Sequence, residues 1–205
     1  MRRRTLDFLF SAGGVLLAGL LFVLGIVLTS NANFAEDYVT KQLSQQKINF
    51  TPLDKLSDEE KESACVVNYA GKPLTTGKQA ECYANEYIGL HVKAIADGET
   101  YAGLGVPQSA LRDKIAKAKE TNDPTLPDLE KELADLTATR DTLFKGETLR
   151  GLLLTSYGFS TFGDKAEQVA AIAFIVATLM LVLSIAGFAH AFAIAKSEVF
   201  APPDA

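Results

Sequence analysis

Four side chains could bring chemistry to this 205-residue chain: the cysteines Cys65 and Cys82 and the histidines His91 and His190, its only two of each type. A cysteine pair can form a disulfide or contribute to a zinc site, and a histidine can hold a metal, ligate heme or move a proton. Structural zinc needs four ligands, and His91 has no second histidine beside it, so Cys65 and Cys82 do not complete such a site. Neither cysteine has heme-attachment spacing, and one histidine without a partner in the other apolar run cannot clamp a heme. There is no glycine-rich phosphate loop and no serine nucleophile elbow. The pattern therefore implies no catalytic residue, no metal ligand set and no cofactor. Cys65 and Cys82 suit one disulfide formed in an oxidising compartment; the alternative is two separate buried thiols.

Charge removes another class of function. The formal net charge is −5, with 20 Lys and Arg against 25 Asp and Glu, and no stretch concentrates the basic residues. Binding to a phosphate backbone depends on such clustering, so nucleic acid is not an expected partner.

The elements that must position these groups start from two apolar runs. Residues 8–29 form the first, and residues 168–195 the second, within which Val169 to Ile194 carries no formal charge and one histidine, His190. About 20 apolar residues cross a bilayer core as a helix, so both read as transmembrane helices. Arg2, Arg3 and Arg4 precede the first run, and short Arg-rich flanks stay cytoplasmic. Residues 1–7 and 196–205 are then cytoplasmic ends in the plasma membrane, and residues 30–167 form an extracytoplasmic domain that agrees with the cysteine pair. A rival reading makes the first run a cleaved secretory signal ending at Ser30-Asn31-Ala32, but its apolar core exceeds the usual 7 to 15 residues, which favours a retained anchor.

Small residues recur in both runs: Gly14 with Ala18, Ala173 with Ala177, and Gly187 with Ala191 and Ala195. Such spacing lets helices approach closely in lipid, so these positions are candidate contacts between the two spans or with a larger membrane partner. His190 lies about one turn from the end of its span, within reach of headgroups, and reads as an interface residue rather than a ligand.

The segment between the spans reads as helical throughout. Asn31 or Asn33 can cap a helix through Gln46, and Ser57 with Glu60 forms a capping box opening a helix to Tyr69. Thr76 to Ala96 is the next helix, so a Cys65–Cys82 bond would pin two antiparallel helices around Gly71-Lys72-Pro73. Residues 104–145 read as a helical hairpin, with Leu111, Ile115 and Ala118 facing Leu129, Leu133, Leu136 and Leu143 across the turn at Thr121-Asn122-Asp123-Pro124. Residues 146–163 are amphipathic and suited to lie among lipid headgroups before the second span. In that stretch Glu147 and Arg150 can pair at i,i+3, or Arg150 can reach a lipid phosphate or a partner carboxylate, with Tyr157 a further candidate contact. The class is all-α.

Two stretches carry a resemblance. MRRRTLDFLFSAGGVLLAG at the start, and LFKGETLRGLLLTSYGFSTFG followed by VAAIAFIVATLMLVLSIAGFAHA near the end, resemble small two-span membrane proteins of actinobacteria. Members often carry a label as aromatic-ring-opening dioxygenases. Extradiol dioxygenases need two histidines and a carboxylate on one metal, whereas His91 and His190 are expected on opposite sides of a membrane. The resemblance implies a non-catalytic accessory or assembly subunit of a larger membrane complex, with respiratory subunits of the cytochrome bc and cytochrome oxidase supercomplex as partners. The alternative is a stand-alone cell-envelope sensor or lipid-binding protein, which predicts a concave apolar pocket in residues 30–167.

Overall fold

A computed structural model describes residues 2–194; Ala195 and the expected tail 196–205 lie outside them. The described chain is helical, in the order α1 (Arg3–Gln45), a 3-10 turn (Leu53–Lys55), α2 (Asp58–Lys61), α3 (Ala64–Tyr69), α4 (Gly77–Cys82), a π-helical segment (Tyr83–Ile88), α5 (Gly89–Ile95), α6 (Gly105–Thr121) and α7 (Leu126–Ala193). The all-α expectation holds, and α1 and α7 each contain a stretch long and apolar enough to cross a membrane. Contacts divide the chain into Met1–Asp37 with Thr161–Ala205, and Tyr38–Ser160.

Two expected breaks are missing. The first span and the helix after it are one element, α1, because no proline or glycine follows Gly25 in it and the asparagines do not cap. The Asn31 amide instead donates back to the Val27 carbonyl, 2.9 Å away. Likewise the second hairpin helix does not stop at residue 145, and residues 146–163 are not a separate element: both belong to α7. Leu149 and Leu153 there face the protein core, with Leu153 3% exposed. Three glycines of α7, Gly146, Gly163 and Gly187, sit at close contacts, whereas Gly151 and Gly158 face open space. A Cβ on Gly146 would run into the Cγ2 methyl of Val92, a side chain with little rotamer freedom. Gly146→Ala is therefore expected to destabilise Tyr38–Ser160 by about 1–3 kcal/mol of overpacking, reduced by up to about 1 kcal/mol of gained helix propensity. Denaturant unfolding followed by tyrosine ellipticity reads the net loss; a stabilised variant would contradict the packing.

In the unit that contains the two long apolar stretches, α1 and α7 run antiparallel, and the buried residues between them are small: Ser11, Ala18, Ala32, Ala35, Ala170, Ala173, Ala177, Ser184 and Ala191. A Cβ on Gly14 would collide with Ser184, one on Gly187 with Ser11, and one on Gly25 would lie 2.6 Å from the Phe174 ring. Large chains such as Leu16, Leu20, Ile172 and Leu183 point outward. This is the arrangement expected where packing rather than water drives association.

In Tyr38–Ser160 the core joins Val39 and Leu43 of α1, Phe50, Leu56, Val66, Leu74, Ala80, Ala84 and Leu153. After α1, Lys47 turns the chain at φ 53°, and Asn49 pairs with Pro73 in an isolated antiparallel bridge. Phe50 N–H donates to Lys72 O (2.9 Å) and Leu74 N–H to Ile48 O (2.9 Å), which places both buried side chains. The Ser57–Glu60 capping box forms, but its helix is interrupted after Lys61 because Ser63 caps α3 by accepting from Val66 N–H. Thr76 and Gln79 make a second capping box at α4.

The hairpin of α6 and α7 turns at Asn122, whose left-handed φ of 50° ends α6. Asp123 then accepts from Thr125 N–H (2.9 Å) and Thr125 Oγ1 (2.7 Å). These bonds favour the ionised form and hold the Asp123 carboxyl below its usual range. A depressed folded value means the contribution is present above the unfolded value near 3.9 and is lost as pH falls through the lower folded value. Protection of the Thr125 amide, its exchange rate relative to that of an unstructured amide at the same pH, is thus expected to fall only on acidification below about pH 4, and Asp123→Ala to lower it already at neutral pH; equal protection in both chains at neutral pH would contradict this.

Candidate functional site

The two cysteines meet: Cys65 of α3 and Cys82 at the end of α4 are disulfide-bonded, with Cα atoms 6.1 Å apart. The bond therefore links the pair of helices expected from the sequence. The chain leaves Cys82 directly into the π-helical segment. There Tyr83 and Tyr87 stack at 4.8 Å, and Tyr87 Oη lies 2.9 Å from Thr51 Oγ1. Burial pushes the Tyr83 phenol above its usual value, with smaller contributions from Tyr87 and Glu60. His91 sits exposed on α5, its Nδ1 2.7 Å from the Tyr87 carbonyl and its Nε2 3.5 Å from Glu60 Oε1.

The wide π turn also presents a carbonyl to α7. Arg150 Nε donates to Ala84 O at 3.0 Å, Nη2 to Asn85 Oδ1 at 3.4 Å, and Nη1 to Glu147 at 2.9 Å. The Glu147–Arg150 pair is thus intramolecular, and Arg150 additionally anchors the π segment. Tyr157, about two helical turns further along α7, has the Lys78 ammonium 5.5 Å from its ring centre, and Lys78 also pairs with Glu81. That carboxylate raises the Lys78 pKa.

The small residues, expected to pack between the two apolar helices or against a larger partner, face the other helix of the same chain. Gly14 opposes Ser184, Gly187 opposes Ser11, and Ala18, Ala173 and Ala177 are buried. His190 Nδ1 lies 3.2 Å from Asp7 Oδ2. Next to this pair, Arg4 lies 5.7 Å over each of Phe8 and Phe192, whose rings meet edge to face at 5.2 Å.

Three surface features lie within Tyr38–Ser160, of which the sequence raises only an apolar pocket, without placing it. A cleft of about 550 Å³ is lined by Glu59, Glu62, Glu86, Glu99 and Glu147 with Lys93 and Arg150. On its rim Tyr101 stacks under the Arg140 guanidinium at 4.2 Å and meets Phe144 at 5.6 Å. Tyr101 is 41% exposed and Phe144 56%. Arg140 is fixed from below: its Nε donates to Tyr101 O at 3.1 Å and its Nη1 to Gln108, which also bonds Thr137 at 2.8 Å. The third feature is an apolar groove of about 430 Å³ between α1 and α7, with Tyr38, Leu43, Leu149, Leu152, Leu153 and Phe159 among its walls. The signal for it in the sequence was the apolar face of 149–159, whose partner on α1 was not evident. Among the described residues no group of three or more His, Cys, Asp or Glu side chains is placed to hold a metal ion.

Comparison of the chain with protein-family models, with curated proteins and with solved structures finds no match.

Proposed function

We propose that the chain is a non-catalytic accessory subunit of a larger membrane assembly, held by two spans, with its disulfide-closed helical unit on the extracytoplasmic side. The observation that carries this reading is the exposed Tyr101–Arg140–Phe144 cluster. Aromatic rings and arginine dominate the energetics of protein contacts, and here the arginine is already fixed by Gln108, so little order is lost when a partner covers it. Arg2, Arg3 and Arg4 before the first span support the orientation, and the Cys65–Cys82 bond suits the oxidising side. The resemblance of the two ends to actinobacterial two-span proteins supports the supercomplex of cytochrome bc and cytochrome oxidase as that assembly. Blue-native electrophoresis of gently solubilised membranes tests the reading. The chain should migrate far above its 22.0 kDa, and Tyr101→Ala with Phe144→Ala should release it; migration alone in the unaltered chain would contradict it.

A second reading, a stand-alone envelope protein that binds lipid or another apolar ligand, is favoured by the groove between α1 and α7. It predicts that the chain holds its ligand without any protein partner.

A further inference from the structure

We propose that the groove between α1 and α7 within Tyr38–Ser160 binds the acyl chain of a membrane phospholipid. The proposal deepens the second reading above and rests on the chain being membrane-embedded; it also holds for a subunit of a larger assembly.

The groove has a built floor. Val39, Leu43 and Leu153 are 3%, 4% and 3% exposed, so its base is packed protein rather than a gap between loose side chains. Its walls stay open: Leu152 is 64% exposed and Phe159 41%. At about 430 Å³ it falls in the size range of sites for small ligands, and like them it is mostly apolar with a few polar groups.

Charge decides what fits. None of the lining residues carries a charge at neutral pH; the polar members are Gln42, Gln46, Thr155, Ser156 and the Tyr38 phenol. A charged ligand placed here would lose hydration without gaining a counter-ion, whereas hydrocarbon loses nothing. The neutral amides and hydroxyls can accept or donate to the ester region of a lipid, whose charged headgroup stays in water. Two spans keep such chains constantly available to the protein. The cleft lined by glutamates, by contrast, offers hydrocarbon no comparable surface.

The test uses the full chain in vesicles of phosphatidylethanolamine and phosphatidylglycerol containing a phospholipid with a diazirine on its acyl chain. After illumination, peptide mapping should find label on the α1 and α7 spans and also on peptides covering residues 38–48 and 149–159. Thr155→Phe, a change at an exposed rim position, should remove the groove label and leave the span label; Gln42→Phe should do the same from the opposite wall. Retained disulfide and helical ellipticity verify folding of both variants. Labelled spans beside unlabelled groove peptides would overturn the proposal, as would a lipid-free dimer covering the groove in native mass spectrometry. Unlabelled spans would overturn the membrane reading beneath it.

Discussion

Phe50→Ala is expected to destabilise Tyr38–Ser160 by about 3–5 kcal/mol, the cost of removing a large buried ring from a core that cannot fully close over it. Phe50 is 1% exposed and packs against Tyr69 at 5.4 Å and edge to face on Tyr83 at 5.1 Å. Its backbone is tied to Lys72, so the vacated space cannot be filled by a simple shift of the loop. Near-ultraviolet ellipticity of the tyrosines during denaturant unfolding measures the effect, since Tyr69 and Tyr83 line the same space. A midpoint equal to that of the unaltered chain would place Phe50 outside the core.

The Cys65→Ser, Cys82→Ser double variant is expected to lose about 3 kcal/mol, the loop-closure contribution for a bridge of this span, here a sequence separation of 17. The helices it joins are six residues each, too short to persist without tertiary support. Cys82 leads straight into the π segment, so loosening should spread to Tyr83, Tyr87 and the Ala84 carbonyl held by Arg150. Hydrogen exchange of residues 83–89 and denaturant unfolding both read this. Unchanged protection and an unchanged midpoint would mean that packing alone holds α3 on α4. Reduction of the unaltered chain by a dithiol should reproduce the variant.

Much of this architecture is legible in the residues because its signals are local. Runs of apolar residues announce the spans, Ser57 with Glu60 announces a helix start, and a lone cysteine pair has one possible partner each. The α6–α7 hairpin is equally clear, since Thr121-Asn122-Asp123-Pro124 interrupts two leucine-rich helical patterns. Continuity is harder to read. Asn31 can cap a helix or donate to the carbonyl one turn back, and only the surrounding helix decides between them. Gly146 and Gly163 look like helix breakers, yet each marks close packing: against Val92 in one case and, at 2.9 Å from a notional Cβ, against Ala35 in the other. The π segment leaves no local trace, and the Arg150 that meets its Ala84 carbonyl comes from 66 residues away. The aromatic cluster and the place of the groove are hidden as well. Tyr101 meets Arg140 and Phe144, and Tyr38 meets Phe159, only once α7 lies beside the earlier elements. The small residues of the two apolar helices are visible in the sequence, which leaves open whether they meet each other or a larger partner; in the structure they pack on one another.

The role of accessory subunit is tested most directly by the composition of the particle in which the chain resides. Affinity purification of the full chain from its own membranes in mild detergent, with quantitative mass spectrometry, should recover cytochrome bc and cytochrome oxidase subunits in fixed proportion to it. The Tyr101→Ala, Phe144→Ala variant should lose them while keeping its disulfide. A chain recovered alone, with those subunits at background level, would contradict the account.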